Sequence, residues 1–210
     1  MLRLYDYLDS GNGYKVRLLL TQLGIPFTRI EIDILKGESR TLEFLRKNPN
    51  GRIPVLELEN GQFLAESNAI LCYLADGSHL LPTARYERAQ ILQWMFFEQY
   101  SHEPNIATSR FWLKHLEPTG ERKITLEQKR ALGYAALDVM EKHLADRSFF
   151  VGSRYTVADI ALYAYTHVAY EGGFELNNYL YIRAWLERVR MQPGHISITQ
   201  SPSVFRQRTS

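Results

Sequence analysis

Cysteine is nearly absent: Cys72 is the single one among 210 residues. No disulfide can form within the chain, and the composition suits a reducing compartment, the cytoplasm. No run of apolar residues is long enough to span a bilayer. No signal peptide is expected, because Met1 leads straight into a strand-like segment, Leu2 to Tyr7. Neither sign of charge dominates, with 25 basic residues against 23 acidic ones. No basic block or stripe stands out, so a nucleic-acid partner has no electrostatic footprint. The six histidines are scattered and no Cys/His cluster has metal-ligand spacing, so no metal is expected. Internal repeats and low-complexity tracts are lacking. What remains is 45% hydrophobic and 12% aromatic, enough for one large core or two small ones.

The first part of the chain reads β-α-β-α-β-β-α. Leu2 to Tyr5 alternates, and Tyr14 to Leu23 is apolar and helix-like, stopped by Gly24 and Pro26. Phe27 to Ile34 alternates as a half-buried strand does. Thr41 to Lys47 fits a short helix. Val55 to Leu58, the Asn60-Gly61 turn and Gln62 to Leu64 form a hairpin, and a helix follows from Ser67 to Leu74. Beyond Gly77 everything reads helical. Tyr86 to His115 is one long pattern interrupted at Pro104. Thr125 to Ala145 puts Gly133, Leu137, Met140 and Leu144 on one face. Thr156-Val157-Ala158-Asp159 has capping-box spacing, with Asp for the usual Glu. The fold class expected is α/β plus all-α. A thioredoxin-like domain spans residues 1–76, a linker 77–84 and an all-helical domain 85–210. The patternless stretch after Pro193 is expected to drape over the surface.

Two motifs carry the functional reading. Asn48-Pro49-Asn50-Gly51-Arg52-Ile53-Pro54 is a turn running into a strand with proline near its start. Proline removes a ladder donor there, so a special reason is needed. A cis Ile53-Pro54 bond is one, turning the Ile53 N–H and C=O toward a ligand. Glu66-Ser67 then sets an acid and a hydroxyl at the mouth of an apolar helix. In this arrangement the chain resembles the glutathione transferases from end to end, the bacterial members most. Its Ser10-Gly11-Asn12-Gly13 turn is similar to the Thr-Pro-Asn-Gly turn of the Nu class.

That resemblance implies a glutathione thiolate attacking an electrophile. Lowering a thiol pKa from about 8.5 to roughly 6.5 needs about 2.7 kcal/mol. One hydrogen bond to the charged sulfur supplies roughly 1.5–3 kcal/mol, and a helix N-terminus adds about 0.3–1 kcal/mol. These suffice without a formal cation. By matching positions, Ser10 and Asn12 are the candidate catalytic residues; Tyr5 and Tyr7 are rivals, because Tyr-based classes put a phenol at the end of strand one. Glutathione itself is the cosubstrate. Ile53 offers its backbone to the cysteinyl unit, Glu66 pairs the α-ammonium, and Ser67 takes the γ-glutamyl carboxylate. Lys36, Arg40 and Arg52 are cations for the glycyl carboxylate. A hydrophobic electrophile is expected between the domains, near Tyr7, His102 and Asn105, with Pro104 bending the helix to aim His102, Asn105 and Ser109. Cys72 reads as a buried small hydrophobe. The resemblance also implies a homodimer. Two other readings share the fold: a glutathione-dependent disulfide-bond oxidoreductase, and a non-catalytic glutathione-binding or scaffold protein.

Overall fold

The computed structural model describes residues 1–117 and 119–201. Its described residues divide into two compact units, one of residues 1–76 with 193–201, the other within residues 77–192. The fold is the expected one, a thioredoxin-like unit and a helical unit.

The first unit is built on a four-stranded mixed sheet in the order β2-β1-β3-β4. Its strands are β1 (Leu2–Asp6), β2 (Phe27–Glu31), β3 (Val55–Glu57) and β4 (Phe63–Ala65). β1 pairs parallel with β2 and antiparallel with β3, and the β3–β4 hairpin closes on the Asn60-Gly61 turn. A parallel pair needs a crossover, which α1 (Gly11–Gln22) supplies. α1 begins three residues before the apolar run because Ser10 caps it, its hydroxyl accepting from Gly13 N–H at 3.2 Å. β2 ends sooner than its alternation suggested: Asp33 accepts from Leu35 and Lys36 N–H and starts a short 3-10 turn. α2 spans Leu42–Lys47 and α3 spans Ser67–Ala75. Leu4, Val16, Leu20, Phe27, Leu56 and Ile70 fill one face of the sheet. Tyr5, Phe44 and Val55 fill the other. The period-2 strand pattern thus feeds two cores at once.

The stretch after Pro193 does not merely drape. Arg17, fully buried in α1, donates to Ile198 O at 3.0 Å and Gln200 O at 2.6 Å. Tyr14 Oη donates to Ile196 O at 2.7 Å. Backbone carbonyls of this segment satisfy the guanidinium, which is why a patternless sequence is fastened here, in the first unit and apart from the helical segment it was grouped with.

The second unit holds α4 (Arg85–Phe97), α5 (Glu103–His115), α6 (Gly120–Leu144), α7 (Val157–Thr166) and α8 (Leu180–Arg190). The interruption anticipated at Pro104 is a π turn, Glu98–His102, between α4 and α5. Proline cannot donate and its ring collides with the carbonyl four residues back, so the helix widens by one residue just before it. α7 is largely apolar and buried along its whole length, with Asp159 and Thr166 as its buried polar groups. The Thr156–Asp159 capping box forms. No helix among the described residues is long and apolar enough to cross a membrane.

Candidate functional site

The chain enters α1 through a tightly braced turn. Ser10 N–H donates to Tyr7 O at 2.8 Å. Arg17 donates to Leu8 O at 2.6 Å and to Asp6 Oδ2 at 2.7 Å. Asp6 is fully buried, and desolvation pushes its carboxyl up to about 6 against the pull of Arg17. Its other oxygen lies so close to Gly13 that a Cβ there would sit 1.5 Å from it. Gly13 is therefore a matter of space, and this close approach keeps the helix mouth in place over Asp6. No acidic residue lies within the first turn of α1 by sequence; the carboxyl that faces the turn is that of Asp6. Capping uses only a lone pair of the Ser10 hydroxyl; its proton is available to a second acceptor.

Asn12 and Ser67, distant in sequence, meet. Ser67 Oγ donates to Asn12 Oδ1 at 3.3 Å, and Lys15 Nζ donates to Ser67 Oγ at 3.3 Å. Ser67 is buried at the first position of α3, while Glu66 just before it is exposed. Glu66 has φ 67° and ψ 110°, the one non-glycine residue with positive φ among those described. Such backbone costs of order 1–3 kcal/mol and persists where the surroundings dictate it, often at ligand sites.

The Ile53–Pro54 bond is cis, as the sequence led us to expect. Ile53 is half-buried and lies before the β3 ladder, which opens at Val55. Asn48 organises the loop: its Nδ2 donates to Arg52 O at 2.8 Å and its Oδ1 accepts from Asn50 N–H at 3.1 Å. Arg40 donates to Asn50 O at 2.9 Å and lies over Gly51, where a Cβ would come within 2.6 Å of its guanidinium. The Arg52 side chain is exposed. Lys36 is paired with Asp33 at 3.0 Å.

Several expectations need correction. Tyr5 points into the second sheet core and donates to Glu57 at 2.6 Å; burial and that carboxylate push its phenol up to about 12, the wrong direction for a thiol activator. Tyr7, beyond the end of β1, is half-buried. His102 is completely enclosed, its Nε2 2.9 Å from Thr166 Oγ1. That hydroxyl donates to Leu162 O, so the histidine supplies the proton between them. Asn105 is 8% exposed and donates to Ser101 O, and Ser109 is fully buried with its hydroxyl on Asn105 O. His102 and Asn105 are thus both buried beside the π turn. Cys72 is only half-buried. Lys15, Arg17 and Asp6 were missed, because Lys and Arg in an amphipathic helix normally read as its solvated side.

A family model of the glutathione S-transferase N-terminal domain matches residues 1–76, and one of the C-terminal domain matches residues 94–193. Among curated proteins, the chain is 30% identical to the disulfide-bond oxidoreductase YfcG of Escherichia coli, over 92% of each chain. Among solved structures, a glutathione S-transferase from Pseudomonas fluorescens superposes with TM-score 0.93 at 52% identity, over 95% of this chain and 99% of that one. A glutathione transferase from Burkholderia graminis, solved with two glutathione molecules per subunit, superposes with TM-score 0.82 at 27% identity, over 92% and 85%.

Proposed function

Because the chain belongs to the glutathione S-transferase family, we propose that it is a glutathione-dependent enzyme that activates the thiol at the mouth of α1 for transfer to hydrophobic electrophiles. One observation carries the reading: the first-turn amide of Asn12 and the Ser67 hydroxyl of α3 are bonded to each other, so thiol and γ-glutamyl groups of one tripeptide have adjacent partners. In this reading Asn12 and Ser10 donate to the thiolate. Ile53 holds the cysteinyl backbone, Glu66 the α-ammonium, and the Ser67 N–H the α-carboxylate. Arg40 and Arg52 face the glycyl carboxylate, and Tyr7 borders the electrophile. The thiolate forms a bond to the electrophilic carbon as the leaving group departs with its electron pair. A cytoplasmic homodimer completes the proposal, and gel filtration of a fully active monomer would count against the dimer.

A second reading is favoured by the likeness to YfcG. The same thiolate attacks a disulfide sulfur, forms a mixed disulfide and releases the other sulfur as thiolate; a second glutathione then resolves it to glutathione disulfide. Either reading requires glutathione binding, so millimolar glutathione must raise the melting temperature, by mass action on the native state. An unmoved melting temperature rejects both. Parallel assays with an aromatic halide and with a small mixed disulfide then choose between them.

Glu66 gives a sharper expectation. Glu66→Gly relieves the backbone strain, offset by about 0.5–1 kcal/mol of glycine chain entropy. The variant should be more stable by about 1 kcal/mol yet bind glutathione about tenfold more weakly, having lost the partner of the ammonium. Urea denaturation and calorimetric titration read the two effects. Lower stability with unchanged affinity would show that the residue is held for the fold.

A further inference from the structure

Lys15 is fully buried in α1, and its ammonium is bonded to the Ser67 hydroxyl, which is bonded to the Asn12 amide oxygen. Burying an ammonium costs several kcal/mol even after relaxation, and an apolar side chain between Tyr14 and Val16 would serve packing better. An ammonium has three donors and no acceptor, so Ser67 Oγ can only accept from it. The hydroxyl proton is thereby directed away, onto Asn12 Oδ1. An amide whose oxygen accepts must present its NH₂ group on the other side, and its N–H bonds are polarised by the chain behind them, strengthening by roughly 10–30% per bond. A formal positive charge thus stands one hydroxyl behind a donor that hydrogen bonding and a helix terminus alone were expected to equip.

Resting on the glutathione reading above, we propose that Lys15 is a positioning residue: through Ser67 it orients and polarises Asn12 toward the bound thiolate. The Ser67 hydroxyl is committed to this link, which leaves the Ser67 backbone N–H for the γ-glutamyl carboxylate. Lys15 touches no reacting atom, and its charge acts on the sulfur through Ser67 and Asn12.

The experiment follows the thiolate ultraviolet absorbance of bound glutathione against pH in the wild type, Lys15→Met, Ser67→Ala, their double variant and Lys15→Arg. Lys15→Met should raise the thiol pKa by about one unit, since a nearby cation moves such a group by about 1–3 units. Ser67→Ala should raise it comparably, and the double variant no further than Ser67→Ala alone, because both break one chain. Lys15→Arg, keeping the charge, should restore most of the shift. A purely structural lysine would change the melting temperature and leave the thiol where it was; that result overturns the proposal, as do additive effects of the two single substitutions. If Lys15→Met does not fold, Ser67→Ala decides alone, and an unmoved thiol in it overturns the relay. Glutathione binding with an unmoved thiol defeats only this inference, whereas absence of binding in the wild type defeats the glutathione reading with it.

Discussion

Asn12→Ala raises the thiol pKa of bound glutathione by about one to two units, the equivalent of losing a charged hydrogen bond of roughly 1.5–3 kcal/mol. At pH 7, from a starting value of roughly 6.5, the thiolate fraction and the turnover fall by about 3- to 25-fold, while the melting temperature stays nearly constant. Asn12 is half-buried, and its amide oxygen accepts from the Ser67 hydroxyl. Ser10→Ala behaves differently. It removes the cap from Gly13 N–H and should lower stability by about 1 kcal/mol whatever it does to the thiol. The pair of variants, compared by thiolate absorbance and urea denaturation, separates activation from helix capping. If Ser10→Ala abolishes activity and Asn12→Ala does not, Ser10 is the principal donor; if Tyr7→Phe alone abolishes it, the α1 mouth has been misassigned.

Asp159→Ala should destabilise the protein by about 4 kcal/mol, from several buried donors left without partners at roughly 1–3 kcal/mol each and a lost cap. Its carboxylate accepts from Phe150 N–H at 3.1 Å, Trp185 Nε1 at 2.9 Å, Thr156 N–H at 2.9 Å and Thr156 Oγ at 3.1 Å. Asp159, Thr156 and Trp185 are all fully buried, so water cannot replace it. The surrounding ring packing depends on it, since Phe150 meets Trp94 at 4.7 Å and Trp185 at 5.1 Å. Burial outweighs the donated hydrogen bonds and pushes this carboxyl from an ordinary 3.8 up to about 6. The folded state therefore holds the proton more tightly than the unfolded chain. The stability from this linkage is complete below about pH 4 and is lost as pH rises through about 6, on the order of 3 kcal/mol. Asp159→Asn should remove its share of the slope of the urea midpoint across the same interval, leaving the share of Asp6, and an undiminished slope in the variant would show that the Asp159 carboxyl titrates normally.

The capping box itself was legible, because its two residues are three apart and the signal is local. Trp185 was not, since its indole reaches Asp159 across the fold. The same division holds at the candidate site. Turn chemistry exposed the Asn48–Pro54 loop, the hairpin and the mouth of α3. Lys15 and Arg17 carried no local signal, because their partners include Ser67, Asp6 and the carbonyls of residues 198 and 200. The burial of His102 was not legible either: periodicity places a residue on a face, but a π turn, which includes His102, shifts the faces from there on.

A crystal structure with glutathione tests the account most directly. The cysteinyl backbone should lie on Ile53, the γ-glutamyl carboxylate on the Ser67 N–H, and the sulfur within hydrogen-bond distance of the Asn12 amide or the Ser10 hydroxyl. A sulfur lying nearest the Tyr7 phenol, or a tripeptide bound away from the mouths of α1 and α3, would contradict it.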